Sequence, residues 1–108
     1  MKYTVQILAD AEEDLFRIYQ YVASHDSLGK AETLYESIKE TILSLDCQPT
    51  RGHVPPELER LDVREFLEIH YKPYRIVYQI LEMDVFVHCI FDGRRHLDDI
   101  LRERLLRI

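Results

Sequence analysis

The sequence predicts an α+β domain ordered β-α-α-β-β-β-α. In it, an antiparallel sheet packs against an α-helical hairpin and a short C-terminal helix closes the chain. Three observations carry that prediction. Apolar residues recur every three or four positions over residues 11–24 and again up to about Asp46, the period of amphipathic helices. Residues 74–81 (YRIVYQIL) and 85–91 (VFVHCIF) are rich in β-branched and aromatic types and read as strands. The breaks between the helical stretches and between the last strands are short, which forces sequence neighbours to run antiparallel. The 108 residues fit one domain, 1–108, with no repeat and no linker.

Each element has its own local cause. Residues 2–8 alternate Tyr3, Val5 and Ile7 with Lys2, Thr4 and Gln6, as a half-buried strand does. Asp10 with Glu13 has the spacing of a capping box for the first helix. Leu8, Ala11, Leu15, Ile18, Tyr19 and Val22 form that helix's stripe. Ser24-His25-Asp26-Ser27 breaks it, and Asp26 or Ser27 caps a second helix running to about Asp46. Its stripe is Ala31, Leu34, Tyr35, Ile38, Ile42 and Leu45. Residues 47–60 hold three of the four prolines and read as a loop. Leu61, Val63, Leu67, Ile69 and Tyr71 alternate with polar residues and predict a strand over 61–71. Met83-Asp84 is expected to turn the chain between the last two strands. The 85–91 strand is nearly continuous in apolar residues, which places it centrally in the sheet. Asp92-Gly93 turns the chain again. Leu97, Leu101, Leu105 and Ile108 then mark a tail helix, with acids in its first turn and arginines in its last.

Composition excludes several classes. The charged fraction of 31% and hydrophobic fraction of 46% rule out a collagen, a low-complexity chain and a disordered acidic tail. No run approaches the ~20 apolar residues that span a bilayer, and no signal peptide is expected. Cys47 and Cys89 lie far apart and make no CxxC, so they read as reduced thiols of a cytoplasmic protein, Cys89 in the core. The five histidines show neither HExxH nor zinc-ligand spacing, so no metal site is expected; no cofactor is expected either.

The net charge of −6 is unevenly spread. Residues 1–48 carry four basic against nine acidic residues, and residues 49–108 carry ten against eleven. Of the ten arginines only Arg17 lies in the first half, so an anionic target is expected to meet the second. Arg75 alternates with Val77 on its strand and fits a salt bridge to Glu68 or Asp92 across the sheet. Arg94 and Arg95 follow Gly93 at a turn and fit either a target contact or a solvated turn. His96 fits a cap of the tail helix, and His88 a satisfied core histidine. Tyr71, Tyr74 and Tyr78 fit packing roles or base stacking. The tail helix is apolar almost all round, so it must dock on its own sheet or meet a partner.

The ordered set ADAEEDLFRIYQYVA, AETLYESIKETILSL, QPTRGHVPPEL, YKPYRIVYQIL and VFVHCIFDGRRHL resembles toxins of the RelE/ParE superfamily, also known as plasmid stabilisation proteins. The resemblance covers nearly the whole chain. It implies a type II toxin held inactive by a cognate antitoxin in a hetero-oligomer, with no membrane association. DLFRIYQYVA and the hairpin look closer to the ParE-like branch, whose members inhibit DNA gyrase without nuclease activity. On that reading Arg94 and Arg95 contact the target, and Leu97, Leu101, Leu105 and Ile108 meet the antitoxin. The RelE-like branch instead cuts messenger RNA on the ribosome without a metal. For that chemistry the resemblance assigns Arg75 and Arg95 as phosphate clamps, with His96 or His70 as a partial substitute for the acid or base. Phe66 and Glu68 stand where RelE-like nucleases carry lysines, and Leu101 where some carry a catalytic tyrosine. A third reading is a degenerate, non-toxic antitoxin-binding protein.

Overall fold

The computed structural model describes residues 2–95 and 98–106. Strands β1 (Thr4–Ile7), β2 (Leu67–Tyr71), β3 (Tyr74–Leu81) and β4 (Asp84–Asp92) form one four-stranded sheet in the order β1-β4-β3-β2. The last three strands make the expected antiparallel meander. The sheet is mixed, however, because β1 pairs with β4 in parallel, with Thr4 opposite Asp84 and Ile7 opposite Val87. The two-helix excursion between β1 and β2 returns the chain to the far edge, which leaves β1 free to lie beside the last strand.

Helices α1 (Ala9–His25) and α2 (Leu28–Leu43) form the hairpin, and a single 3-10 turn, Ser44–Asp46, extends α2 to the predicted end. Ser27 caps α2 by accepting from the Lys30 N–H. The Asp10 capping box does not form. Leu8 holds the cap position of α1, and Asp10 lies inside the first turn. There its charge still opposes the positive end of the helix dipole. The hairpin buries Ala11, Leu15, Ala31, Ile38 and Ile42. Its packing against Ile69, Ile76, Tyr78, Val85, Val87 and Ile90 builds the main core.

The opposite face of the sheet is covered as well. Val77, Cys89 and Phe91 pack with Leu58, Phe66 and Leu101. This explains why β4 is almost wholly apolar, since it is buried on both faces. A bulge supports the arrangement: Val77 faces Cys89 and Tyr78 faces Val87, so His88 is the extra residue. The extra residue shifts the alternation, so that Val85, Val87 and Ile90 all serve the hairpin face. The His88 ring meets Gln79 at 3.2 Å and the Phe66 ring edge-on.

Two boundaries differ from expectation. Residues 61–66 are not strand. Pro56–Glu59 form a short helix, α3, whose exit bonds from Leu61, Asp62 and Val63 return to Leu58 and Glu59. Asp62 then takes φ 59°, which an extended strand does not allow. The turn between β3 and β4 is Glu82-Met83 rather than Met83-Asp84, with Glu82 at φ 57° and Leu81 opposite Asp84. In the tail, α4 (Asp98–Leu101) continues as a wider π-type turn over Arg102–Leu106. No described helix is long and apolar enough to cross a membrane.

Gly52 is where the proline-rich loop meets the sheet. A Cβ there would lie 2.5 Å from the Tyr78 hydroxyl and 2.7 Å from the Glu68 carbonyl oxygen. The Tyr78 hydroxyl is held by donating to the Pro49 carbonyl, and backbone holds the other wall. Gly52→Ala should therefore destabilise the fold by about 1–3 kcal/mol, measured by equilibrium urea unfolding.

Candidate target-binding cleft and the arginine network

Arg75 projects from β3 onto the face opposite the hairpin, where its guanidinium lies 5.1 Å from the centre of the Phe91 ring. Its side chain is only 12% exposed. Nε and Nη2 donate to Glu68 Oε2 at 2.8 and 2.5 Å. Nη1 and Nη2 donate to the two Glu57 oxygens at 2.8 Å each. Burial works against the charge of Arg75, but the two carboxylates more than offset it and raise its pKa. The same hydrogen bonds hold Glu57 below its ordinary value. The Glu68 bridge is one of the two anticipated from the sequence. Asp92 pairs with Arg94 instead, and Glu57 is a partner from α3 that strand pairing could not reveal. A phosphate reaching Arg75 would have to displace a carboxylate.

The other Glu68 oxygen faces outward. Oε1 lies 3.0 Å from His53 Nε2 and 3.0 Å from His70 Nε2. His53 reaches it from the loop through a two-way backbone bridge, His53 N–H to Glu68 C=O and Glu68 N–H to His53 C=O.

A second set of side chains lies at the other end of the sheet. β1 ends opposite Val87, so the last part of β4 has no strand neighbour on that side. Its polar backbone groups still need partners. Asp14 of α1 accepts from the Ile90 N–H, and Arg104 of the tail donates to the His88 carbonyl. Arg104 also forms a fork-to-fork pair with Asp14 at 3.1 and 3.0 Å. That pair raises the Arg104 pKa against its burial. Neither residue stood out in the sequence, where Arg104 carried only a helix-dipole role.

Beside this bridge opens a cleft of about 570 Å³ between α1, the ends of β3 and β4, and the tail. Arg17, Tyr21, Tyr74, Arg94, Arg95 and Arg104 line it, with Asp14, Asp92 and Glu103. Arg94 is exposed and grips Asp92 through Nε and Nη2 at 2.9 and 2.6 Å. This holds the Asp92 carboxyl down at about 2. The Arg95 N–H bonds the Asp92 carbonyl, and its side chain is exposed with no ion pair among the described residues. Gly93 sits against the stem of Arg75: a Cβ there would lie 2.9 Å from the Pro73 carbonyl and 3.1 Å from Arg75 Cδ.

The sequence-predicted residues therefore separate. Arg94 and Arg95 share the cleft, while Arg75 lies outside it, among acids. Leu101 is 2% exposed and Leu105 half-buried, both docked on the chain's own sheet. His96, Leu97 and Ile108 lie outside the described residues. Cys89 is buried as expected, and burial pushes its thiol up to about 12.

A small mixed sheet with a helical hairpin on one face is a fold shared with solved toxins of the RelE and ParE type. The family model described as the ParE toxin of the type II toxin–antitoxin system parDE matches residues 5–97, and the chain belongs to that family. Solved structures share the fold at low identity. A chain of the chromosomal ParDE system from P. aeruginosa aligns with TM-score 0.71 and 16% identity, covering 84% of this chain and 96% of its own. A chain of the RelBE2 toxin–antitoxin complex from Mycobacterium tuberculosis gives TM-score 0.64 and 18% identity, covering 85% and 99%. The free E. coli toxin RelE, in an arginine-substituted mutant, gives TM-score 0.64 and 17% identity, covering 100% and 99%. No curated protein sequence matches the chain.

The Arg75 network makes two predictions. Arg75→Met leaves Glu68 buried without its cation and should cost about 3–5 kcal/mol in urea unfolding, partly recovered by Glu68→Gln in the same chain. Glu57 has a lowered folded pKa. Its stabilising contribution is complete above its ordinary value of 4.5 and is lost as pH falls through the lower folded value. Glu57→Gln should therefore shrink the fall in unfolding free energy between neutral pH and about pH 3.

Proposed function

We propose that this chain poisons DNA gyrase and is neutralised by a cognate antitoxin. The observation that carries this reading is the pairing state of the arginines. Arg75, the cation a ribonuclease reading needs, is sequestered by Glu57 and Glu68. Arg95 stands exposed at the cleft with no ion pair among the described residues, beside an exposed Arg94 that holds only Asp92. A metal-free ribonuclease must place a cation on the scissile phosphate and a proton donor on the leaving oxygen. Exposed arginines beside an aromatic-lined cleft instead suit a binding surface for acidic protein or a protein–DNA complex. The ParE family match supports the same branch.

An antitoxin partner is supported by the ParDE and RelBE2 neighbours, both of which are toxin–antitoxin systems. We assign its contact to the tail residues Leu97, Leu101, Leu105 and Ile108, with Leu101 and Leu105 reached by displacing the tail from the chain's own sheet. Removing residues 97–108 should then abolish antitoxin capture, and unchanged capture by a truncated chain that keeps its circular-dichroism spectrum would overturn the assignment.

Purified, antitoxin-free protein with gyrase and supercoiled plasmid should trap cleaved DNA. Arg95→Ala should remove that activity and relieve growth arrest on expression. Codon-specific cuts on translating ribosomes, with no effect on gyrase, would replace this function with the RelE-like one. A folded protein inactive in both assays would leave the non-toxic reading.

A further inference from the structure

We propose that His53, Glu68 and His70 form a binding site for a divalent transition metal of the zinc class. Both imidazoles aim Nε2 at the same oxygen, Glu68 Oε1, at 3.0 Å. The three ligand atoms all lie within 4.8 Å of one another. Zinc bonds to imidazole nitrogen and carboxylate oxygen are about 2.0–2.2 Å, so ligands on one ion sit roughly 3 Å apart. The observed spacing thus needs only a small opening to admit a cation. The donors are imidazole and carboxylate, a combination this metal class favours.

The surroundings are built as metal sites are built. Arg75 holds the second Glu68 oxygen from behind, which fixes the carboxylate and leaves Oε1 directed at the histidines. Glu68 is 2% exposed, whereas His53 and His70 are 59% and 40% exposed. The deep ligand is therefore rigid and the remaining coordination positions open to water. Glu68 and His70 alternate on β2, so both side chains fall on one face of the strand. The backbone bridge brings His53 into line with Glu68. The two histidine rings meet edge to face, 5.3 Å between centres.

The sequence gives no zinc-like spacing because two ligands sit on a strand and the third arrives from a loop through a bridge. A metal here would fasten the proline-rich loop to β2, the edge strand of the sheet. It would replace two N–H donors competing for one oxygen with two lone pairs directed at a cation. The site is separate from the arginine cleft and does not depend on the gyrase reading.

The test is calorimetric titration of zinc chloride into the full chain carrying Cys47→Ser, which removes the exposed thiol as a competing ligand. A single ion should bind, and His53→Ala or His70→Ala should each weaken binding by at least roughly tenfold. His25→Ala, on α1, should leave it unchanged. Zinc should raise the melting temperature of the parent but not of the His53→Ala/His70→Ala double variant. Both rings are substantially exposed, so these variants should keep the parent's circular-dichroism spectrum. Absent binding, or binding that survives the double variant, would overturn the proposal.

Discussion

A buried carboxylate has to be answered, and in this fold Glu68 sets the terms for everything around it. Removing a carboxylate from water costs several kcal/mol unless opposite charge and hydrogen bonds replace the lost hydration. Glu68 obtains that replacement from three directions: Arg75 on the neighbouring strand, His70 on its own strand and His53 across the loop. Arg75 in turn requires Glu57, because one carboxylate leaves half of its fork unpaired. The α3 turn that carries Glu57 also carries Leu58, which completes the second core. The irregular segment between α2 and β2 is thus ordered by a polar chain as much as by apolar contact.

The same network changes the meaning of the charge distribution. The second half of the chain holds nine of the ten arginines. Arg75 and Arg104 are committed inward, against Glu57, Glu68 and Asp14. The outward-facing positive charge at the cleft is therefore narrow and concentrated on Arg17, Arg94 and Arg95. Arg17 is also partly occupied by Glu13. A surface that tracks an RNA backbone needs a continuous line of cations. A short cluster with aromatic neighbours is better matched to a discrete protein surface.

How much of this could be read beforehand follows from the range of each interaction. The helical hairpin and the strands 74–81 and 85–91 were legible because their signals are local: period, propensity and the Ser27 cap. The false strand over 61–66 arose because Leu61 and Val63 alternate like a strand while actually closing the α3 turn. The positive φ of Asp62 has no signature in hydrophobic pattern. The parallel pairing of β1 was hidden because it joins the first and last strands, which share no turn. Of the site, Arg94 and Arg95 were legible beside Gly93. The partners of Arg75 were half legible, since Glu68 lies on the adjoining strand and Glu57 does not. Asp14 and Arg104 are ninety residues apart, and only the folded chain puts them together.

Their meeting ties the two halves of the proposed function to one segment. The tail helix presents Leu101 and Leu105 to the second core, while Ile100, Glu103 and Arg104 line the cleft. Arg104 fixes it there, since its fork holds Asp14 and the His88 carbonyl at once. Displacing the tail would uncover Phe66, Val77 and Phe91, strip Asp14 of its cation and leave the His88 carbonyl without that donor. It would also remove one wall of the space that Arg94 and Arg95 overlook. On the proposed reading, an antitoxin that grips the tail need not cover the arginines to silence them. By displacing the tail it would reshape the cleft through the Arg104–Asp14 bridge, so that neutralisation and target contact would both depend on one short segment.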